Sequence, residues 1–197
     1  HVRDVAAARA RVSDPVILTG FSPELLSDAV LRLAQADIRM ILAGIDADSL
    51  SASISCVTHS RSQQSVQLVR YLHACGRDRI ALVGMGRHSL NDMVKENAAR
   101  QYAARQARPI ADADVFKWHE RLEDCLSAFM PVARRYSAVI CPSDYIALLV
   151  LNRLHARGLR VPEDLYIASF GNSAISRFCV PSITTIMMDF FAIGRYA

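Results

Sequence analysis

The sequence is short of the features that mark catalysis, metal binding or membrane insertion. It has no Gly-x-Ser-x-Gly elbow, no Walker phosphate loop and no His-Glu-x-x-His. Nothing assembles an acid, a base and a nucleophile, so no enzyme is expected. The histidines (His1, His59, His73, His88, His119, His155) are dispersed without ligand spacing, so neither a metal nor a cofactor is expected. The five cysteines (Cys56, Cys75, Cys125, Cys141, Cys179) include no Cys-x-x-Cys. An odd, scattered set argues against a disulfide scaffold and fits a reducing, cytoplasmic setting. Long hydrophobic runs are missing too. Residues 146–151 form one of the longest, against the roughly 20 that a bilayer-spanning helix needs. The start, Val2-Arg3-Asp4-Val5, is charged and amphipathic, with no export signal visible. Aromatics are 7% of the residues, and Trp118 is the single tryptophan.

What is present is an ordinary globular composition, 52% hydrophobic and 21% charged over 197 residues. That length allows one large domain or two small lobes with a sizeable core. The net charge of +4 is mild, and the 23 basic residues are scattered rather than gathered on one segment. This chain alone is therefore not expected to grip DNA.

Strand and helix patterns alternate along the chain. Residues 2–11 read as helix, 15–19 as strand, and Ser22-Pro23-Glu24 as a helix start with Pro at the first helical position. Strands follow at 38–43 and 54–57. A helix over 61–75 ends at Gly76, and its face of Val66, Val69 and Leu72 is expected inside. Residues 79–84 read as a buried strand and 91–106 as a helix. A strand is expected over 113–116, then a helix over 121–134 that Pro131 must bend or end. Cys56 and Cys141 fall in apolar strand-like runs and are expected to act as small hydrophobes. Residues 190–197 read as the first turns of a further helix. The alternation predicts a doubly wound α/β architecture with parallel sheets.

The most informative stretch runs from 138 to 186. Ala-Val-Ile-Cys-Pro-Ser-Asp (138–144) is an apolar run with a polar cap, followed by a helical run that stops at Gly158. Val161-Pro162-Glu163-Asp164 leads into a second apolar run ending at Ser169-Phe170-Gly171-Asn172. Pro181-Ser182-Ile183-Thr184-Thr185-Ile186 starts a third. Parallel strands need such crossovers. The order Ser-Asp-x-x-Ala, Gly-x-x-Val-Pro-x-Asp, Ser-Phe-Gly-Asn and Pro-x-x-Thr-Thr-Ile, with its spacing, resembles the effector-binding domain of LacI/GalR-type transcriptional regulators. The likeness is traceable from about Ser13 to Ala197.

That resemblance implies two flavodoxin-like, periplasmic-binding-protein-like lobes joined by a hinge. The mapping assigns 1–58 and 189–197 to a partial N-terminal lobe and 59–188 to the C-terminal lobe. A helix-turn-helix headpiece, the first strand and helix of the N-lobe, and a closing strand have no counterpart in these residues. The resemblance also implies a homodimer, a small-molecule effector (sugar, sugar acid or nucleobase) and operator DNA reached through the headpiece. A periplasmic-type sugar-binding protein of the same architecture is the alternative.

Ligands of doubly wound sheets bind outside the carboxyl ends of the strands. Those ends carry Phe21, Asp46, Trp118, Ser143, Gly171 and Asn172, the candidate ligand-binding residues. Trp118 can stack on the apolar face of a sugar ring or serve as a core aromatic. Ser143 and Asn172 can donate and accept. Asp46 can accept from hydroxyls, and Asp144 is expected as the N-cap of the next helix. Gly84-Met85-Gly86-Arg87-His88-Ser89 is close to a dinucleotide fingerprint. With Ser89 at its third position it reads as a tight turn, and a nicotinamide enzyme is the further alternative.

The chain departs from the family pattern at several of these positions. Ser143 replaces Asn, and Gly171-Asn172 replaces Asp-Asp. The Arg that often precedes Gly-Tyr by three residues, and grips the effector, falls on Ala98 if Gln101-Tyr102 take those places. Arg100 substitutes only in another helix register. His59 stands where Asp is usual, as an expected hydrogen-bonded hinge side chain.

Overall fold

The computed structural model describes residues 16–19, 30, 39–44, 55–87 and 89–197. The chain divides into two compact units, His1–His59 with Asp189–Ala197, and Ser60–Met188. The expected helices over 2–11 and from Ser22, and the candidates Phe21 and Asp46, lie outside the described residues, apart from helical, buried Val30.

In the first unit, β1 (Val16–Leu18), β2 (Met40–Ala43) and β3 (Ser55–Val57) pair in that order, all parallel. Leu42 and Ala43 are buried. Cys56, expected as a small core hydrophobe, is instead exposed. It sits on the strand that ends the described sheet, with no neighbouring strand beyond it among the described residues.

The second unit opens with α1 (Arg61–Ala74), capped by the hydroxyl of Ser60, which accepts from Gln63 N at 3.4 Å. Its buried face is Leu68, Val69 and Leu72; Val66 is only partly covered. The sheet follows as β4 (Ile80–Gly86), β5 (Val115–Trp118), β6 (Ala138–Ile140), β7 (Tyr166–Gly171) and β8 (Thr184–Met187). All pairings are parallel, in the order β5-β4-β6-β7-β8. The connecting helices are α2 (Leu90–Arg105), α3 (Leu122–Phe129), α4 (Asp144–Ala156) and α5 (Ala174–Phe178). The chain re-enters the first unit at α6 (Phe190–Tyr196), where the Asp189 carboxylate accepts from Ala192 N at 2.9 Å.

Both faces of this sheet are buried, so β4 reads as a continuous apolar run. One face packs Ala81, Val83, Val139 and Ile167 against Leu126 and Phe129 of α3 and Val150, Leu151 and Leu154 of α4. The other packs Ile80, Leu82, Ile140 and Phe170 against Leu68 and Leu72 of α1 and Ala99 and Ala103 of α2.

Three local expectations are corrected. Residues 113 and 114 are not strand; they belong to a 3-10 turn, Asp112–Asp114, where the Asp114 carboxylate accepts from Ala111 N at 2.9 Å. The strand starts at Val115 and reaches Trp118. The helix after it stops at Phe129 and tightens into 3-10 geometry over Met130–Arg135, with Pro131 at the start. Finally, Gly84 to Gly86 are not a turn but the end of β4. Gly84 (φ +84°) forms a bulge there, with the register to β5 shifting between Val83 and Met85. The extra residue moves Met85 to the same face as Ile80 and Leu82.

Candidate functional site

The order β5-β4-β6-β7-β8 fixes where this sheet offers a crevice. From β4 the chain goes outward to β5, then crosses back to β6 on the other flank. The reversal lies between the carboxyl ends of β4 and β6, the topological switch point at which such sheets bind ligands. Trp118, Ser143, Gly171 and Asn172 all lie at that carboxyl edge, at or just past the ends of β5, β6 and β7.

Ser143, Gly171 and Asn172 surround one carboxylate, that of Asp144, without donating to it. Asp144 is the first residue of α4 and is buried. Its carboxylate accepts from Ser169 Oγ at 2.5 Å, Thr185 Oγ1 at 2.8 Å and Ser173 N at 2.7 Å. Burial works to raise its pKa, but the hydrogen bonds from Ser169, Ser173 and Thr185 outweigh it and hold the carboxyl below its ordinary value. The expected N-cap role of Asp144 is therefore corrected. Ser143 is the cap, its hydroxyl accepting from Ile146 N at 3.4 Å, while Asp144 turns back over the sheet.

This knot accounts for Gly171. Its φ is +140°, and a Cβ there would lie 2.9 Å from Asp144 Oδ2. The space that an acidic side chain would need on the Phe170-Gly171-Asn172 turn is taken by the carboxylate arriving from α4. Asn172, also at positive φ (56°), donates its backbone N–H to Thr185 Oγ1 at 3.1 Å. Its side-chain oxygen accepts from Arg177 Nε at 3.2 Å.

Trp118 ends β5, three strand spacings from β7, about 14 Å along the same edge. It is half-buried against the α3/α4 face of the core. Its indole N–H donates to Gly84 O at 3.0 Å, on the bulge. The polar atom of the ring is thus occupied, which leaves only ring surface for a ligand. A cavity of about 470 Å³ adjoins it, lined by His119, Glu120, Arg121 and Asp124 among others. A larger one, about 540 Å³, lies at the opposite edge, around Arg79 and Ile80 at the start of β4.

The switch point itself holds a residue that the sequence reading passed over. Lys95, on α2, is buried with its ammonium donating to Pro142 O at 3.0 Å and to Asp92 Oδ1 at 3.3 Å. The other Asp92 oxygen accepts from Gly86 N at 3.0 Å, and the ammonium stands 4.8 Å from the centre of the Phe170 ring. One cation therefore touches the loop after β6, the carboxylate that caps β4, and the end of β7. Lys95 shares its stripe with Ala99 and Ala103, four and eight residues on, both buried. A lysine on an otherwise small, apolar helical stripe was the legible signal. Arg100, by contrast, is committed elsewhere: it meets Ile110 O at 3.1 Å, Glu96 at 3.5 Å and Asp112 at 2.6 Å. At His59, the expected hydrogen bond is not made at Nε2, which is buried without a partner among the described residues. Nor does the Gly84–Gly86 segment form a phosphate loop, since both glycines lie within β4 and Gly86 N is taken by Asp92.

Comparison with known proteins agrees with this architecture. Residues 69–197 match the periplasmic binding protein-like domain. The chain is 46% identical over 61 residues to the HTH-type transcriptional repressor CytR of Escherichia coli (strain K12), covering 31% of this chain and 18% of that protein. It is 23% identical over 180 residues to the catabolite control protein A of Priestia megaterium, covering 89% and 54%. The chain thus spans at most about half the length of these curated relatives. The fold superposes on a transcriptional regulator CelR–cellobiose complex with TM-score 0.85, 18% identity and coverage of 99% of this chain and 60% of that one. With its parallel five-stranded sheet and this match over most of its length, the chain belongs to the periplasmic binding protein-like domain family, as a LacI-type effector-binding domain.

Proposed function

We propose that this chain is the ligand-sensing and dimerisation portion of a LacI-type transcriptional regulator. It binds a small metabolite (a sugar, sugar acid or nucleobase) and thereby alters operator binding by a separate helix-turn-helix headpiece. The observation that carries this reading is the carboxyl edge of β4 to β8. It gathers Trp118, Ser143, Gly171 and Asn172 at the end of one parallel sheet, with the switch point between β4 and β6. Phe21 and Asp46, the other two proposed ligand residues, lie outside the described residues. The role is non-catalytic: the relatives are transcriptional regulators, and the edge presents capped and hydrogen-bonded groups, not an activated nucleophile.

Signalling needs a ligand that favours one arrangement of the regulator over another. A coupling of about 1–3 kcal/mol changes operator affinity roughly 5–150-fold. A dimer is supported by an uncovered apolar surface on α5 and the loop after it, next to α4. Phe178 is 82% and Val180 85% exposed, with Tyr145 and Ile175 also out. Palindromic operators mirror such two-fold symmetry.

A thermal-shift screen against sugars, sugar acids and nucleobases tests the reading, because a ligand that binds only the folded state raises the melting point. At least one class is expected to do so, and Trp118→Ala is expected to weaken that ligand about tenfold or more through lost ring contact. A screen with no shift removes the sensing role; unchanged affinity in Trp118→Ala removes the proposed place of the site.

A further inference from the structure

The cavity of about 540 Å³ at the amino ends of β4 and β5 is separate from the carboxyl edge. β4 runs from Ile80 to Gly86, and at about 3.3 Å per residue its two ends lie about 20 Å apart. The volume falls within the roughly 300–1,000 Å³ of small-molecule sites, which combine apolar walls with a few polar groups. The walls here come from Phe116 of β5 and Val132, both half-buried, and from buried Tyr136. Phe116 meets Tyr136 edge-on with ring centres 6.2 Å apart, and Phe129 lies 5.2 Å from Phe116 on the core side. Such edge-to-face packing fixes the wall before any ligand arrives.

The rim is charged, with Arg79, Arg108 and Arg135 against Asp78 and Asp114. Both acids are occupied. Asp78 pairs with Arg108 at 2.9 Å. Asp114 accepts from the Tyr136 hydroxyl at 3.0 Å and from Ala111 N at 2.9 Å. Burial, and after it the bond to Asp114, pushes the Tyr136 pKa up to about 12, so the phenol stays protonated and keeps donating. The guanidiniums of Arg79 and Arg135 have neither an ion pair nor a hydrogen bond among the described residues. Their backbones are tied instead: Arg79 N donates to Ser137 Oγ at 3.0 Å and Ser137 N donates to Arg79 O at 2.8 Å, two residues past Arg135.

We propose that this amino-edge cavity is a second ligand site, distinct from the sensing edge, and that it takes an aromatic anion. A planar ring lies against Phe116 and Tyr136, and its carboxylate or phosphate is held by Arg79 and Arg135. A guanidinium presents paired N–H groups that match the oxygens of either anion, and its plane also packs on ring faces. A neutral ring would leave two cations idle, and a small anion without a ring would leave the apolar wall wet. Arg108 is left out of the binding pair because Asp78 already holds it. Basic groups also complement the carbonyl ends of helices, which would account for Arg108, just past α2, and Arg135, at the end of its 3-10 turn. That use does not account for Arg79, which directly precedes a strand.

The test uses the full chain and matched probes: naphthoate against naphthamide, and adenosine 5′-monophosphate against adenosine. Binding is read by calorimetry at low ionic strength. At least one acid is expected to bind about tenfold more tightly than its neutral twin, the range of charge-assisted hydrogen bonds at a partly exposed rim. The carboxylate and phosphate arms tell the two anions apart. Arg79→Gln combined with Arg135→Gln, both at exposed positions, should abolish the preference, and added salt should narrow it in the wild type. Twins that bind equally, or no binding by any probe, overturn the inference. So does a preference that survives the double substitution, since the anion would then sit elsewhere on the chain. None of these outcomes touches the sensing role, which rests on the carboxyl edge and on Trp118→Ala.

Discussion

At the scale of single residues, the unit from Ser60 to Met188 is held at the carboxyl edge of its sheet by Asp144. Its carboxylate joins the start of α4 to β7, to the turn before α5 and to β8. Replacing it with Ala leaves the buried Ser169 hydroxyl, the half-buried Thr185 hydroxyl and the Ser173 backbone N–H without their acceptor. The expected loss is about 2–4 kcal/mol in denaturant unfolding. The pH dependence has a definite sign. The folded-state pKa lies below the ordinary value, so the stabilisation is fully present above the unfolded carboxyl pKa of about 4. It disappears as pH falls through the lowered folded value. In Asp144→Asn that part of the acid transition should be missing, so stability curves of variant and wild type converge at low pH. Parallel curves down to the acid limit would show that the carboxylate contributes no linked proton.

At the scale of elements, the bulge in β4 links the core to Trp118 at the carboxyl edge. Gly84 is at φ +84°, and an added Cβ would lie 2.5 Å from Ile146 Cγ2 on α4. Its carbonyl holds the Trp118 indole, and the β4 residues beyond it change face. Gly84→Ala should therefore cost about 1–3 kcal/mol. It should also shift the fluorescence of the lone tryptophan as the indole loses its acceptor. A stable variant with unaltered emission would mean that the bulge does not position Trp118. The elements of the second unit are largely legible in the sequence because each apolar run is closed by a strong stop, such as Gly76, Gly158 or Pro162. The bulge is not, since Gly84-Met85-Gly86 carries the same residues in a strand as in a turn. The choice depends on cross-strand pairing with β5, which is non-local. The site is legible only in part. The strand ends can be found by pattern, but whether Ser143 or Asp144 caps α4 depends on Ser169 and Thr185 waiting across the sheet. Lys95 is legible as a charge on the Ala99–Ala103 stripe, yet its contact with Pro142 belongs to the tertiary fold.

At the scale of the whole molecule, the exposed apolar residues around α5 give the oligomeric prediction. Phe178→Asp combined with Val180→Ser should turn a dimer into a monomer in size-exclusion chromatography with light scattering, with little change in the unfolding of the second unit. A wild-type monomer at micromolar concentration would remove the dimerisation role and favour a transport-type binding protein of the same architecture. The thiols described above have a consequence of their own. Cys56 and Cys75 lie exposed and Cys179 partly so, while Cys125, on the inner face of α3, and Cys141, just past β6, are buried in the core, where burial raises their pKa. A maleimide or disulfide reagent would therefore react in two waves. The fast wave counts surface sites, and the slow one runs only as quickly as the sheet of the second unit opens, so the chain carries an internal clock for its own unfolding.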